Sequence, residues 1–533
     1  MSQTRRLRTE GKRKVGSKPD ADVQSRNRLR LSPGAEKILV LLLVAATLAG
    51  LYFDFSLALM YPLTSDMANA GLFPMEVMQG NFEYVLPANN PYIFTDYIIH
   101  MVIQPLTGYS HVALALTGYG IFVMIVLSGA ALVWRLAGRV EAAAAAAMIA
   151  NMPFMGLIYV LYPLYHNGTI LFILLSLLVY YSDRPPLRLS FRSRVLIIGV
   201  LQFLGVFSDT LMLPLFTAPL MAYAAYRILK QRMAKETEKG DGEKEDSPVL
   251  LLASAVPALI IYVVKSRIGQ LWPGGPILAA SGADLGSPGN LFQHTEMLYY
   301  YFAGLINNAG GIFIAIILLF LVVATILDRR DRFLHAVLVL GGLFMIIGFM
   351  SMDIAGDPAR YLTPISIMAL IVAATWTMRR DVGYLPLVAV TIIVLAGAWP
   401  NGSVIFEDTD PDFIRNQQAF VTLLESENIT HAYADYWTAN VYTYLSGGKI
   451  MIEPVNVEDD KLRFQMMNSA PRWANIWPDG TDTRPVVIAL ADSDLDAWAK
   501  KVNENHPPEE IHEFEGGWIY VYNGTLPAWP AGE

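Results

Sequence analysis

The sequence has no cysteine and little charge. Charged side chains make up 16% of its 533 residues and hydrophobic ones 54%, whereas a soluble domain carries about a quarter charged residues. Much of the chain must therefore avoid water, and the composition predicts a polytopic membrane protein. Without cysteine, the chain can form neither disulfides nor thiolate metal sites.

Other signatures are missing as well. The sequence contains no phosphate-binding glycine loop and no metalloprotease helix, and its eight histidines lie too far apart along the chain to predict a metal cluster. Its basic segments fit the loops of a membrane protein, so they give no support to a nucleic-acid partner. The sequence thus predicts that membrane lipids surround the protein. It lacks the motifs named above, which are common in soluble enzymes.

Apolar segments of about the length that crosses a membrane, roughly 20 residues, recur along the chain and predict about eleven transmembrane helices. They cover 37–57, 111–134, 142–162, 168–182, 195–207, 211–228, 248–265, 308–327, 333–351, 361–378 and 383–399. The polar pair Ser208-Asp209 divides the long apolar stretch 195–228, which therefore predicts two short helices meeting at a polar turn.

Lysine and arginine predict the orientation of these helices. They concentrate in the N-terminal tail 1–36 and in alternate connections, whereas residues 56–110 contain neither. Because basic residues collect in cytoplasmic loops, we expect a disordered cytoplasmic tail, a transmembrane domain over 37–399 and a long outer loop at 56–110. The odd number of spans then places residues 400–533 outside the membrane as well.

The C-terminal residues 400–533 have a different pattern. The segment "ITHAYADYWTANVYTYLSGGKIMIEPV" has the pattern of a strand, a helix and a strand, and "PVVIALADSDLDAWAKKVNE" that of a strand and a helix. These residues predict a small extracytoplasmic α/β domain.

The outer loop is rich in carboxylates, and Asp66 is the most notable of them because it starts a predicted helix. The apolar residues of this helix fall at helical spacing and predict that it lies along the membrane interface; they are Leu72, Phe73, Met75 and Met78. Asp66 either caps the helix or acts as a general base towards a hydroxyl group.

Further ionisable residues lie at predicted outer helix ends, where their cost suggests a function. Arg360, in "DPARYLTP", could bind a phosphate through its planar fork or extend to lipid headgroups. His166 lies in a short turn and Asp209 precedes a helix that it could cap. Lys265 and Arg267 end a span on the outer face, where a lipid phosphate is the simplest anion for them.

A family resemblance brings several of these motifs together. "TSDMANAGLFPMEVMQGN", followed by "PANNPYIFTDYIIHMVIQPLTG", then "FSDTLMLP" and "ARYLTP", resembles the polytopic glycosyltransferases of the GT-C fold. Those enzymes take sugars from polyprenyl-phosphate donors, as the dolichyl-phosphate-mannose mannosyltransferases do. The C-terminal "HAYADYWTANVYTYLSGGKI" is similar to the extracytoplasmic domain that many of them carry.

The resemblance implies roles for particular residues. Asp66 would be the catalytic base, Asp96 a second carboxylate of the same cavity, and Arg360 a contact to the donor phosphate with Tyr361 beside it. The further cavity residues that it implies are His166 and Asp209. Many relatives have an adjacent acid pair where this chain reads "SDM". If both acids bind a divalent metal, this chain either lacks that metal or takes a second ligand from elsewhere.

The expected activity is an inverting transfer of a hexose or pentose from a polyprenyl phosphate to an outer-face glycan, glycolipid or protein. Arg360 and Lys265 would offset the charge on the leaving phosphate. A transporter or lipid flippase would also bury ionisable residues, but it predicts charges inside spans and two related halves. A binding domain on a membrane anchor would need only one span.

Overall fold

The computed structural model describes most of the predicted helices and the C-terminal sheet. The described residues are 32–78, 92–152, 160–182, 188–235, 247–271, 295–296, 332–351, 358–376, 384–398, 411–459, 461–464 and 484–524. Most of the N-terminal tail and the predicted span at 308–327 lie outside them.

In the part of the chain that precedes the sheet, the described residues form helices joined by short turns. Its helices are α1 (Pro33–Met60), α2 (Ser65–Met78), α3 (Ile98–Thr107), α4 (His111–Leu136), α5 (Arg139–Ala150), α6 (Asn167–Tyr180), α7 (Phe191–Ser208), α8 (Ala218–Lys235), α9 (Pro248–Ala253), α10 (Val256–Leu271), α11 (Arg332–Ser351), α12 (Pro358–Trp376) and α13 (Leu385–Ala398). Short π-helical turns, Ile93–Tyr97 and Leu213–Thr217, precede α3 and α8.

Four helical segments of the described chain are long and apolar enough to cross a membrane: Pro33–Met60, His111–Leu136, Phe191–Ser208 and Pro248–Lys265. Shorter apolar helices match other predicted spans, so the total of eleven stays a prediction. The predicted break at Ser208-Asp209 is confirmed, because α7 ends at Ser208 and helical structure resumes at Leu213.

The C-terminal part is built on a six-stranded sheet. Its strands are β1 (His431–Ala434), β2 (Met451–Glu458), β3 (Lys461–Phe464), β4 (Val486–Leu490), β5 (Glu510–Phe514) and β6 (Gly517–Val521), in the order β3-β2-β1-β4-β6-β5. β1 is parallel to β2 and β4, and the outer pairings are antiparallel. Helices α14 (Pro411–Ser426), α15 (Tyr436–Leu445) and α16 (Asp494–Asn503) accompany the sheet.

The alternation of side chains along the strands gives the sheet two buried faces. Tyr433 and Val487 lie on the face covered by Trp498 of α16. Ala434 and Ile488 lie on the other face, in a cluster that also contains residues of α2, α14 and α15. Both strand-helix patterns predicted from the sequence are therefore present in the structure.

The apolar stripe of α2, which predicted that this helix lies along the membrane interface, packs mainly against other parts of the chain. Leu72, Phe73 and Met75 are buried in the cluster that α2 shares with α15 and the sheet. The contact is close, since a Cβ atom on Gly71 would clash with the ring of Tyr444. Three of the four apolar residues of the stripe are thus covered by the folded chain, whereas Met78 is exposed.

Candidate active site

The turn at residues 163–166, which precedes α6, connects three separate parts of the chain. Three consecutive residues of this turn each contact one acid that the sequence predicted as functional. The pairs are Leu164 N–H with Asp96 Oδ1 at 2.8 Å, Tyr165 hydroxyl with Asp66 Oδ2 at 3.3 Å, and His166 Nδ1 with Asp209 Oδ2 at 2.8 Å. These contacts gather the acids of the first outer loop and of the α7 end around one short segment.

The backbone of this turn is strained. Leu164 and His166 have φ values of 68° and 67°, in the left-handed region that residues with a Cβ seldom adopt. Such conformations persist where the surrounding structure determines them, and they are frequent at functional sites. Here the side-chain amide of Asn167 donates to the carbonyl of Tyr162 at 2.5 Å and closes the turn.

Asp66 does not cap its own helix. The hydroxyl oxygen of Thr64 accepts the N–H of Met67 at 3.3 Å and provides the cap. The half-buried carboxylate of Asp66 instead accepts two phenol hydroxyls, from Tyr436 at 2.6 Å and from Tyr165 at 3.3 Å. Each phenol thus orients one oxygen of the carboxylate.

Tyr436 comes from the C-terminal part of the chain and was not predicted from the sequence. It follows β1 at the start of α15, where Asp435 caps the helix. Its backbone carbonyl accepts the Ser65 hydroxyl, and its own hydroxyl accepts the Asn69 amide at 3.3 Å. The only signal in the sequence was an aromatic residue directly after a predicted strand.

Asp96 is completely buried. Burial raises its pKa from 3.8 to about 6, although hydrogen bonds from the Leu164 N–H and the Thr95 hydroxyl oppose the rise. The nearby charge of Asp209 raises the pKa further, so the two acids lie within electrostatic range of each other. The structure therefore places Asp96 beside the same turn as Asp66.

Asp209 uses its two carboxylate oxygens for different contacts. One oxygen accepts the N–H of Leu211 at 3.0 Å in a local turn, and the other accepts the Thr169 hydroxyl and faces Nδ1 of His166. Burial alone would raise its pKa, but the charge of His166 and these hydrogen bonds outweigh burial and keep the pKa below its ordinary value. The carboxylate is ionised at neutral pH.

Of the residues predicted to contact the donor, Tyr361 and Lys265 have described side chains. Both lie near the pair formed by His166 and Asp209. The ring of Tyr361 lies 5.7 Å from the imidazole of His166, measured between centroids. The ammonium of Lys265 donates to the carbonyl of Phe207 at 3.2 Å and lies within electrostatic range of Asp209. The side chains of Arg360, in α12, and Arg267, in α10, lie outside the described part of the structure.

The residues around Asp66 do not form the acid pair that the resemblance associates with a metal. Its neighbours in the sequence are Ser65 and Met67, and both of its oxygens accept tyrosine hydroxyls. Folding does bring other groups together, because ligand atoms of Glu427, Glu510 and His512 lie within 4.8 Å of one another near the β5 edge of the sheet. This group contains one histidine and two carboxylates that are distant in the sequence.

No protein-family model matches the sequence, and none of the curated proteins matches it significantly. Solved structures do match. ArnT from Cupriavidus metallidurans, determined bound to undecaprenyl phosphate, aligns with a TM-score of 0.56 at 11% identity over 90% of this chain and 97% of that chain. Its apo structure aligns with a TM-score of 0.54 at the same identity and coverage.

The oligosaccharyltransferase of Archaeoglobus fulgidus, in complex with Zn and sulfate, aligns over 90% of this chain and 72% of that chain. The TM-score is 0.48 and the identity 12%. The alignment with ArnT confirms the resemblance predicted from the sequence: the chain has the GT-C fold. At 11% identity this likeness shows the fold, and the activity is argued below from the site.

Proposed function

We propose that this protein is a glycosyltransferase that moves one sugar from a polyprenyl-phosphate donor to a glycan, glycolipid or protein acceptor on the outer face of the membrane. The observation that carries the proposal is the position of Asp66. Its carboxylate is held by two tyrosine hydroxyls, only half buried, and joined through the 163–166 turn to His166 and Asp209. The fold shared with ArnT supports the same class of donor.

The reaction needs a base on the acceptor side. Asp66 accepts the proton of the acceptor hydroxyl while the hydroxyl oxygen attacks the anomeric carbon of the sugar. Attack on the face opposite the departing phosphate inverts the anomeric configuration and needs no covalent intermediate with the protein. Tyr165 and Tyr436 fix the orientation of the carboxylate, because each donates to a different oxygen.

The reaction also needs positive charge on the donor side. Negative charge grows on the phosphate as the bond to the sugar breaks, and cations held near this oxygen lower the barrier. Lys265 and Arg360 are the cations proposed for this role. Arg267, which follows Lys265 in α10, is proposed as a further phosphate contact. Tyr361, His166, Asp209 and Asp96 are proposed to line the cavity.

Because the proposed reaction takes place on the outer face, it also determines how the protein is oriented in the membrane. We propose a multi-pass protein with a cytoplasmic N-terminus, so that α2, the 163–166 turn and the C-terminal sheet face the outside. The donor lipid then enters from the membrane, and the acceptor approaches from the side of the sheet.

The test is sugar transfer by purified Asp66→Asn protein compared with wild type, using polyprenyl-phosphate sugars as donors. Loss of a general base should lower the rate roughly 10²- to 10⁴-fold, while binding of the donor lipid persists. Asp492→Asn is the matched control, since Asp492 is exposed, far along the chain, and has a left-handed backbone conformation that asparagine tolerates. Full transfer by Asp66→Asn, or lipid translocation by wild type without any transfer, would contradict the proposal.

A further inference from the structure

The imidazole of His166 has one nitrogen without a partner. The side chain is 4% exposed, and its Nδ1 faces Asp209 Oδ2 at 2.8 Å. Nε2 is buried and has no hydrogen-bond partner within the described structure. A buried polar group without a partner costs about 1–3 kcal/mol, so a group that binds here in the working enzyme would recover this cost.

The contact between Nδ1 and Asp209 determines which nitrogen of the imidazole carries a hydrogen. Asp209 is an ionised acceptor, so Nδ1 carries a hydrogen and donates it. When the ring is protonated, Nε2 also carries a hydrogen and becomes a charged donor. The hydroxyl of Thr169 donates to the same carboxylate and helps to hold it against Nδ1.

The N-terminus of α12 beside His166 favours an anion as the partner of Nε2. The described titratable groups that contact the imidazole are Asp209, the Tyr92 hydroxyl at 3.4 Å from Nδ1 and the ring of Tyr361. Lys265 and Asp96 lie further out, each within electrostatic range of Asp209. Tyr361 belongs to the first turn of the 19-residue helix α12, where the helix dipole attracts negative charge.

We propose that Nε2–H of His166 binds the phosphate of the polyprenyl-phosphate donor and protonates it as the sugar departs. This inference rests on the proposed function and names the acid that complements Asp66. The bond between the anomeric carbon and the phosphate oxygen breaks, its electron pair stays on that oxygen, and the proton of Nε2 passes to the phosphate. Asp66 gains the acceptor proton, and exchange with water restores both residues. Because Nε2 is covered in the ligand-free chain, the phosphate must displace side chains that cover it.

The experiment measures binding of undecaprenyl phosphate to the full-length protein in detergent from pH 5.5 to 8.5, for wild type, His166→Gln and His506→Gln. His506 is exposed in the C-terminal part, so its variant controls for the loss of one histidine. Glutamine at 166 can donate a hydrogen bond but cannot become charged. The affinity of wild type should fall relative to His166→Gln as the pH rises and the imidazole loses its proton.

A charge-assisted hydrogen bond of the usual strength predicts that His166→Gln binds roughly 10- to 100-fold more weakly at the acidic end. His506→Gln should follow wild type at every pH. The titration of the lipid phosphate itself is common to all three proteins, so the comparison isolates the imidazole. Identical profiles for wild type and His166→Gln would overturn the inference while leaving Asp66 as base. A wild type that binds no polyprenyl phosphate would overturn the proposed function with it.

A second measurement needs no variant at the site. With 15N-labelled histidine, the Nε2 resonance of His166 in wild-type protein should shift when undecaprenyl phosphate is added, and that of His506 should not. An unchanged His166 resonance at saturating lipid phosphate would overturn the inference even if His166→Gln failed to fold.

Discussion

The carboxylate of Asp66 and the hydroxyl of Tyr436 are 370 positions apart in the sequence and 2.6 Å apart in the structure. Tyr165 holds the second oxygen of the same carboxylate from a third segment. In the proposed reaction this orientation from two sides limits the freedom that the carboxylate loses when the acceptor arrives, which favours proton transfer. The geometry of the candidate site therefore depends on tyrosine hydroxyl groups as much as on the carboxylates.

Asp96 provides a prediction about pH. Its pKa of about 6 lies above the ordinary value of 3.8, so folding favours its neutral form. The stability linked to this group is fully present below about pH 4 and is lost as the pH rises through 6, with a size of about 3 kcal/mol. Asp96→Asn lacks this titration, so wild type should lose stability relative to the variant between pH 4 and 6.

Thermal unfolding of both proteins in detergent across that range measures the difference. Unfolding curves that change in parallel with pH for wild type and Asp96→Asn would show that burial does not govern this carboxyl. Asparagine suits the comparison because its carbonyl can still accept the N–H of Leu164.

The acids of the site could be predicted from the sequence, but the tyrosines could not. Asp66 and Asp209 stand at predicted helix ends, and the family resemblance singled out Asp96 among the other carboxylates of the outer loop. The sequence has 26 tyrosines, and no local pattern marks Tyr165 or Tyr436 among them. Their role arises from contacts between distant segments, which the sequence alone does not record.

At the scale of elements, the position of Asp96 depends on a close contact between two segments. A Cβ atom on Gly168, at the start of α6, would clash with the side chain of Thr95. Thr95 belongs to the π-helical turn that carries Asp96 and donates to it at 2.7 Å. The lack of a side chain at residue 168 therefore lets the 163–166 turn approach the acid.

Gly168→Ala should separate these two segments and destabilise the protein by about 1–3 kcal/mol, as overpacking does in a dense interior. Gly120→Ala is the control, because no other part of the described chain lies within 4 Å of a Cβ at that position of α4. Alanine is also the better helix former there. Equal melting temperatures for Gly168→Ala and wild type would contradict the close contact.

The positions of the helices along the sequence were easier to predict than the segments that they contact. Apolar length located α1, α4 and α7, and the polar pair at 208–209 located the break after α7. The surface that covers α2 could not be predicted, because its apolar spacing fits a lipid surface and a protein surface equally well. Burial of Leu72 against α15 decides between them, and it involves residues far along the chain.

At the scale of the whole molecule, the proposed orientation can be tested with single cysteines, since the chain has none of its own. Cysteine at the exposed Asn505 should react with a membrane-impermeant maleimide in intact cells. Cysteine at the exposed Lys230, at the end of α8, should react only after permeabilisation. Labelling of Lys230→Cys in intact cells, or protection of Asn505→Cys, would contradict an outer C-terminal sheet.

The central claim is that donor phosphate and acceptor base share one cavity around the 163–166 turn. The most direct measurement is an experimental structure of the protein with undecaprenyl phosphate bound. The account predicts the phosphate against His166 and the first turn of α12, in a groove that continues to Asp66. A phosphate bound on a surface that shares no cavity with Asp66 would contradict the account.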